Sequence, residues 1–297
     1  MLELFSYFFR NKTPSQILSY SKLIGTFLYN YFPYRKNVIQ KNIKILLKFK
    51  GETEEELSDL TLANYQNIAA LFLEGFKLQH VSEIELKNIM KFDPESDLKS
   101  KLSAEKKAVI LLGHLGNWEF MATGLGLLLN EPVYFVTKKL TNPFFNKYMH
   151  TMREKFSNRM IPMEYSRDVL NRQLMLGHKI AMAGDQSAHV ESYWDNFLGV
   201  PAPVFLGAAS FALKNNAPLY LLVPIRQDDG KFIIYGEHIK SDDLDSTKKE
   251  SLYELTHRHI TVLEKYIVKF PEQYYWIHKR WKHSEKVSQY FHLYHKS

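Results

Sequence analysis

Apolar residues recur at helical spacing through residues 14–31, at Ile17, Leu18, Leu23, Ile24, Phe27, Leu28 and Tyr31. That spacing predicts an amphipathic helix. Pro14 suits its first turn and Pro33 its stop. The next stretch, Arg35 to Lys50, carries Arg35, Lys36, Lys41, Lys44, Lys48 and Lys50 and no acid, interleaved with Val38, Ile39, Ile43, Ile45, Leu46, Leu47 and Phe49. It predicts a basic amphipathic helix with two readings. The helix lies apolar side down in an anionic interface, or it faces a core and solvates its basic side. Thr53 with Glu56 resembles a capping box. It opens a predicted helix over 54–78, apolar at Leu57, Leu60, Ala63, Ile68, Leu71, Phe72 and Phe76.

The pattern then changes. Short β-rich apolar runs occupy Lys107 to Leu112, Val133 to Thr137, Ile180 to Ala183 and Leu219 to Ile225, with a further strand at Phe232 to Tyr235. Helical segments fall between most of them, and Leu252 to Val268 reads as a late helix. Strands alternating with helices predict an α/β sheet flanked by helices. The expected organisation is a helical N-terminal membrane-surface region over 1–100 and an α/β core over 101–297, integrated as one domain. There is no internal repeat and no low-complexity linker.

Composition narrows the function classes. The chain has 297 residues, 45% hydrophobic and 24% charged, which is a globular make-up. It has no cysteine, so disulfides, thiolate metal sites and Cys nucleophiles are excluded. The net charge of +7 favours an anionic partner: nucleic acid, an anionic bilayer, a phosphorylated ligand or an acidic protein. A 14% aromatic content suits a membrane interface as well as a core. The first ten residues lack the charged start and long apolar run of a signal peptide. Ala108 to Leu129 is long enough to span a bilayer, but His114, Asn117, Glu119 and four glycines argue for strand, turn and helix instead.

That stretch carries the candidate chemistry. In Gly113-His-Leu-Gly-Asn-Trp-Glu119 a buried strand runs into a glycine turn and then a helix, with Asn117 placed to cap it. On one continuous helix His114 and Glu119 would lie about 140° apart. With His114 in the turn, the chain doubles back and the carboxylate can reach the imidazole. A histidine held by a carboxylate is a general base for a hydroxyl. The chain has no Gly-x-Ser-x-Gly elbow, and Ser210 sits in an ordinary helical pattern, so the hydroxyl belongs to a bound acceptor. The alternative is a satisfied turn histidine. His257 and His259 are two apart on a helix, and His178 and His189 lack a ligand pattern, so no metal is expected.

These residues resemble the His-x4-Asp/Glu block of the lysophospholipid acyltransferase superfamily, and within it the lauroyl/myristoyl transferases of lipid A and lipopolysaccharide biosynthesis. Gly184-Asp-Gln186 resembles that family's Asp-Gln block, and Phe197-Leu-Gly-Val-Pro-Ala202 its Phe-Phe-Gly-x-Pro-Ala block. Asn142-Pro143 with Arg153 resembles its second block, Pro271-Glu-Gln-Tyr-Tyr-Trp-Ile-His-Lys-Arg-Trp-Lys282 its terminal block, and Arg35-Lys36 with Lys41-Asn42 its basic segment. The resemblance runs in order over roughly residues 20–283. It departs at Lys138-Lys139, at residues 156–160, which lack a glycine, and in showing no N-terminal anchor.

The resemblance implies a glycerolipid-acyltransferase-like mixed sheet and direct O-acyl transfer without an acyl-enzyme. His114 would take the proton of an acceptor hydroxyl on a glycolipid such as a lipid A precursor, with Glu119 orienting it. The donor would be an acyl thioester on acyl-carrier protein, or on CoA, and no cofactor is implied. Asn117, Arg153, Asp185, Gln186 and Arg280 would contact substrate, and donors for the oxyanion would come from the helix start near Asn117 or from Arg153. The segment Tyr274 to Lys282 either grips phosphates with Lys279, Arg280 and Lys282 while Trp276 and Trp281 sit in the interface, or packs on the core with its cations solvated. The expected place is the cytoplasmic face of the inner membrane, peripheral or monotopic. Three other readings compete: a lysophospholipid or amino-acid-lipid acceptor, a nucleic-acid-binding protein and a non-catalytic membrane protein. The basic stretches hold no nucleic-acid motif, so no nucleic-acid partner is expected.

Overall fold

The computed structural model describes residues 2–293. The last four residues of the basic tail, 294–297, lie outside them. Helices come first: α1 (Leu2–Phe9), α2 (Pro14–Tyr31), α3 (Lys36–Lys50), α4 (Leu57–Leu78) and α5 (Glu83–Ile89). Strands and helices then alternate: β1 (Met90–Phe92), α6 (Leu98–Ala104), β2 (Ala108–Leu112), α7 (Trp118–Leu129), β3 (Val133–Thr137), α8 (Pro143–Arg153), β4 (Arg159–Pro162), α9 (Ser166–Met175) and β5 (Lys179–Ala183). The order closes with β6 (Trp194–Phe197), β7 (Val200–Pro203), α10 (Gly207–Lys214), β8 (Leu219–Arg226), β9 (Phe232–Ile239) and α11 (Lys249–Lys269).

Local chemistry sets several boundaries. The capping box is at Thr13, not Thr53. The Thr13 hydroxyl accepts the Gln16 N–H at 3.2 Å and the Gln16 side chain accepts the Thr13 N–H at 3.0 Å. Thr53 makes no side-chain cap. A 3-10 turn, Glu54–Glu56, precedes α4, and its Glu54 carboxylate pairs with Lys44 at 2.5 Å. Helix α3 stops at Gly51, which takes the left-handed conformation glycine adopts without cost (φ +74°).

Among the described residues seven strands form one sheet in the order β1-β9-β8-β2-β5-β3-β4. From β8 to β4 every neighbour is parallel, and β9 runs antiparallel to β8. A separate hairpin joins β6 to β7. Alternate residues of β2 face opposite layers. Val109 and Leu111 pack with α3, α10 and α11, while Ile110 and Leu112 pack with α5, α6 and α7. Both faces are therefore buried, as parallel strands require.

The structure decides between the two readings of α3. Ile39, Ile43, Leu46 and Leu47 are buried in the core shared with the sheet, and its lysines face outward, so α3 does not present its apolar side to a bilayer. Among the described residues no helix is long and apolar enough to cross a membrane. Ala108 to Leu129 is strand, loop and helix.

Candidate active site

Ligands of open α/β sheets collect beyond the carboxyl ends of the parallel strands. Here β2 and β5 are neighbours with Leu112 opposite Ala183. Each continues through a glycine into a polar residue, Gly113-His114 on one side and Gly184-Asp185 on the other. The equal offset brings them together. The Asp185 Oδ1 lies 2.6 Å from the His114 Nδ1, and its Oδ2 accepts the His114 backbone N–H at 2.9 Å. A carboxylate accepts only, so the proton of the neutral ring sits on Nδ1 and the lone pair on Nε2. The Gln186 side-chain amide donates to that lone pair at 3.3 Å.

The loop carrying His114 is held from behind. Gly116 has φ +65°, and a Cβ there would stand 1.7 Å from the Pro224 carbonyl oxygen, so only glycine fits. Asn117 caps α7 by accepting the N–H groups of Glu119 (3.0 Å) and Phe120 (3.1 Å). Its amide donates to Glu74 of α4 at 2.7 Å. Glu74 also takes a forked ion pair from Arg226, at 2.5 and 2.7 Å, and both are buried. Arg226 exchanges two backbone hydrogen bonds with the Gln273 side chain (2.9 and 3.0 Å). The following chain bridges Leu115 through Tyr274, and the Tyr275 N–H donates to the His114 carbonyl at 2.9 Å. Asn64 and Asn42 donate to the carbonyls of Tyr274 and Trp276 at 2.7 and 2.6 Å. Buried amides from α3 and α4 thus pin the terminal segment, which in turn pins the histidine.

The charges follow from this packing. Burial opposes a protonated His114, but the charge and hydrogen bond of Asp185 outweigh it, so the ring titrates above its ordinary 6.5. Burial likewise opposes ionised Asp185, and His114 more than compensates, so its carboxyl lies below the usual range. The Tyr274 phenol is driven well above 10, first by burial and then by Asp185. His278 is pushed down to about 4, chiefly by burial, and its Nε2 accepts the Ser187 N–H at 3.2 Å. It stays neutral and steadies the chain just past Gln186. Trp118 and Tyr275 wall the imidazole, with ring centroids 4.8 and 6.2 Å away.

A family model described as bacterial lipid A biosynthesis acyltransferase matches residues 7–283. The chain belongs to the bacterial lipid A biosynthesis acyltransferase family. That is a family of acyltransferase enzymes, and its members act in lipid A biosynthesis. A comparison with curated proteins found no match.

Within this acyltransferase the predicted site residues fall into separate groups. His114, Asp185 and Gln186 meet directly. The expected pairing of His114 with Glu119 is replaced by the one with Asp185. Helix α7 carries Glu119 away from the ring to Arg153, which donates from Nε and Nη2 at 2.8 and 2.7 Å, and Trp118 adds its indole N–H at 3.0 Å. The Glu119 charge still acts on His114, more weakly than Asp185 does. Asn117 is fully buried and spent on the cap and on Glu74, so the N–H groups it accepts are taken.

Arg280 is buried rather than presented to phosphates. It donates to the Pro203 carbonyl at 3.0 Å and lies 4.7 Å from the Phe197 ring centroid, and its Nε has no hydrogen-bond partner among the described residues. Trp276 and Trp281 are buried as well, so this segment packs on the core, with Lys279 and Lys282 exposed. Sequence reasoning missed the pairing of Asp185 with His114. Two adjacent strand ends followed by Gly-His and Gly-Asp were its only signal. It also missed Glu74 and Arg226, for which no local pattern exists, and gave Tyr275 no role although its block was marked.

Proposed function

We propose that the protein moves an acyl chain from an acyl thioester to a hydroxyl of a lipid A precursor or similar glycolipid, with His114 as general base. The observation that carries this is the His114–Asp185 couple, whose arrangement leaves Nε2 as the basic nitrogen. The acceptor O–H would replace the Gln186 amide at Nε2 and give up its proton there. The oxygen attacks the thioester carbonyl, and Asp185 steadies the imidazolium that forms. As the tetrahedral intermediate collapses, the C–S bond breaks and the thiolate takes the proton from Nε2. No acyl-enzyme and no cofactor is required. Arg153, held by Glu119, is the candidate cation for the developing oxyanion. Glu119 is thereby assigned to position Arg153.

Acyl-carrier protein, an acidic protein, is the donor best matched to a net charge of +7. The lipid acceptor places the enzyme at a membrane surface, peripheral or monotopic, on its cytoplasmic face. The test is to incubate purified protein and its His114→Ala variant with a pool of acyl-acyl carrier proteins and an under-acylated lipid A precursor, reading lipids by mass spectrometry. One added acyl chain with the wild type, absent with the variant, is expected. No transfer to that acceptor would discard the lipid A substrate, and equal transfer by the variant would discard the base.

A further inference from the structure

Helix α2 leaves much of its apolar surface uncovered. The stripe it turns inward is Ile17, Ser21 and Gly25. A Cβ on Gly25 would stand 2.4 Å from the Gln66 Cα, so the backbones of α2 and α4 meet there and small residues are what the approach needs. Leu28 and Tyr29 also pack on the core, but four large apolar residues are left uncovered. Leu23, Ile24, Phe27 and Tyr31 fall within about 100° of arc. The chain just past the helix adds Phe32 and Tyr34. All six are exposed, Leu23 at 71% and Tyr31 at 70%. Phe27 meets Tyr31 and Phe32 with ring centroids 5.1 and 5.7 Å away. Single exposed apolar residues are ordinary, whereas a continuous face of them marks a partner.

Charge identifies that partner. From Leu4 to Gly51 the chain holds nine Lys and Arg and no acid. That is +9 against +7 for the whole chain, so the remainder nets −2. Lys44 and Lys50 are paired with Glu54 and Glu52. Arg35 and Lys36 follow directly on the apolar face in the chain.

At the end of that face stands Arg35, in the left-handed region at φ +55°, a conformation uncommon outside glycine. Its Nη1 donates to the Ile277 carbonyl at 3.3 Å, and its guanidinium lies 5.4 Å from the Tyr34 ring centroid. The Tyr34 carbonyl is held by the Tyr65 hydroxyl at 2.7 Å. Ile277 is two residues from Tyr275, which walls His114. The apolar face therefore ends beside the chain segment that walls His114.

We propose that the outer face of α2 lies on an anionic lipid bilayer, with Arg35 at headgroup level beside the segment that walls His114. Leu23, Ile24 and Phe27 enter the acyl boundary, Tyr31 and Tyr34 sit at the interface, and the cations meet phosphates. This names the membrane surface for the acyl-transfer reading and rests on that reading for what the site admits.

The test uses the full chain carrying Phe27→Trp, mixed with vesicles of brominated phosphatidylcholine with or without phosphatidylglycerol. Fluorescence is taken as the difference from wild type. The expected result is quenching of the new indole, with at least tenfold tighter binding when phosphatidylglycerol is present and weaker binding as salt rises. Adding Leu23→Ser and Ile24→Ser should cost at least tenfold in vesicle affinity. Met175→Trp is the control. Met175 is exposed, and it precedes the start of β5, at the end of the sheet opposite His114. Equal quenching at both positions, or none at Phe27→Trp, overturns the proposal. So does self-association in solution that Leu23→Ser abolishes without any vesicle binding, which would make a second copy the occupant. His114→Ala protein should give unchanged quenching, so a failure of acyl transfer and a failure of this surface are read separately.

Discussion

Two carboxylates flank His114 and do different things. Asp185 is buried and bonded to the imidazole through one oxygen and to the histidine backbone through the other. Glu119 takes a forked hydrogen-bond pair from Arg153 and meets the ring only through its field. The Gly-His-Leu-Gly-Asn-Trp-Glu block thus holds a base and a carboxylate that belongs to a neighbouring cation. The base's own partner comes from the next strand. Proximity along the chain misassigns the pair, and strand register assigns it.

The sharpest way to break this comparison is Asp185→Asn. Its amide no longer favours a proton on Nδ1, and kcat should fall roughly a thousand- to ten-thousand-fold, measured by single-turnover acyl transfer. An equal loss in Glu119→Gln with little loss in Asp185→Asn would reverse the assignment. A third carboxylate calibrates the cost of structure alone. Glu74→Ala strands buried Arg226 and should destabilise the fold by about 3–5 kcal/mol in urea unfolding. Smaller again is the coupling of Glu119 to Arg153. In a double-mutant cycle of stability with both changed to alanine, the pair should be non-additive by about 0.5–3 kcal/mol.

The pH profile sharpens the same contrast. The base must be unprotonated, and Asp185 raises its pKa, so the acid limb of kcat/KM should lie above 6.5 and activity should rise with pH through it. In Asp185→Ala the two largest raising causes are gone while burial and the weaker pull of Glu119 remain, so the residual limb should move to lower pH. In Glu119→Ala it should move in the same direction but less far.

Much of the fold was legible because its strands are short, apolar and β-branched, and because α2, α3 and α11 keep a helical period. The strands that escaped are β1, which has three residues, β4, which ends in Pro162, and the hairpin β6–β7, which holds Pro201 and Pro203. Proline and brevity hide edge strands from a periodicity reading. The helices α2 and α3 show a second limit. Both carry an apolar stripe. That of α3 is buried, while most of the large residues of α2 face outward because Gly25 draws its backbone onto α4. Periodicity finds a face and cannot say what covers it. At the site, His114, Asp185 and Gln186 were all marked, but their joining needed the register of β2 on β5.

The central claim is that His114 presents an unprotonated Nε2 while Asp185 holds the proton on Nδ1. It is tested most directly by nitrogen-15 NMR of histidine-labelled protein, with the His114 signals assigned by their loss in His114→Gln. Above its pKa the ring should show a protonated Nδ1 and a bare Nε2, and the preference should weaken in Asp185→Asn while persisting in Glu119→Gln. A proton on Nε2 in the wild type would leave no lone pair for an acceptor hydroxyl and would contradict the account.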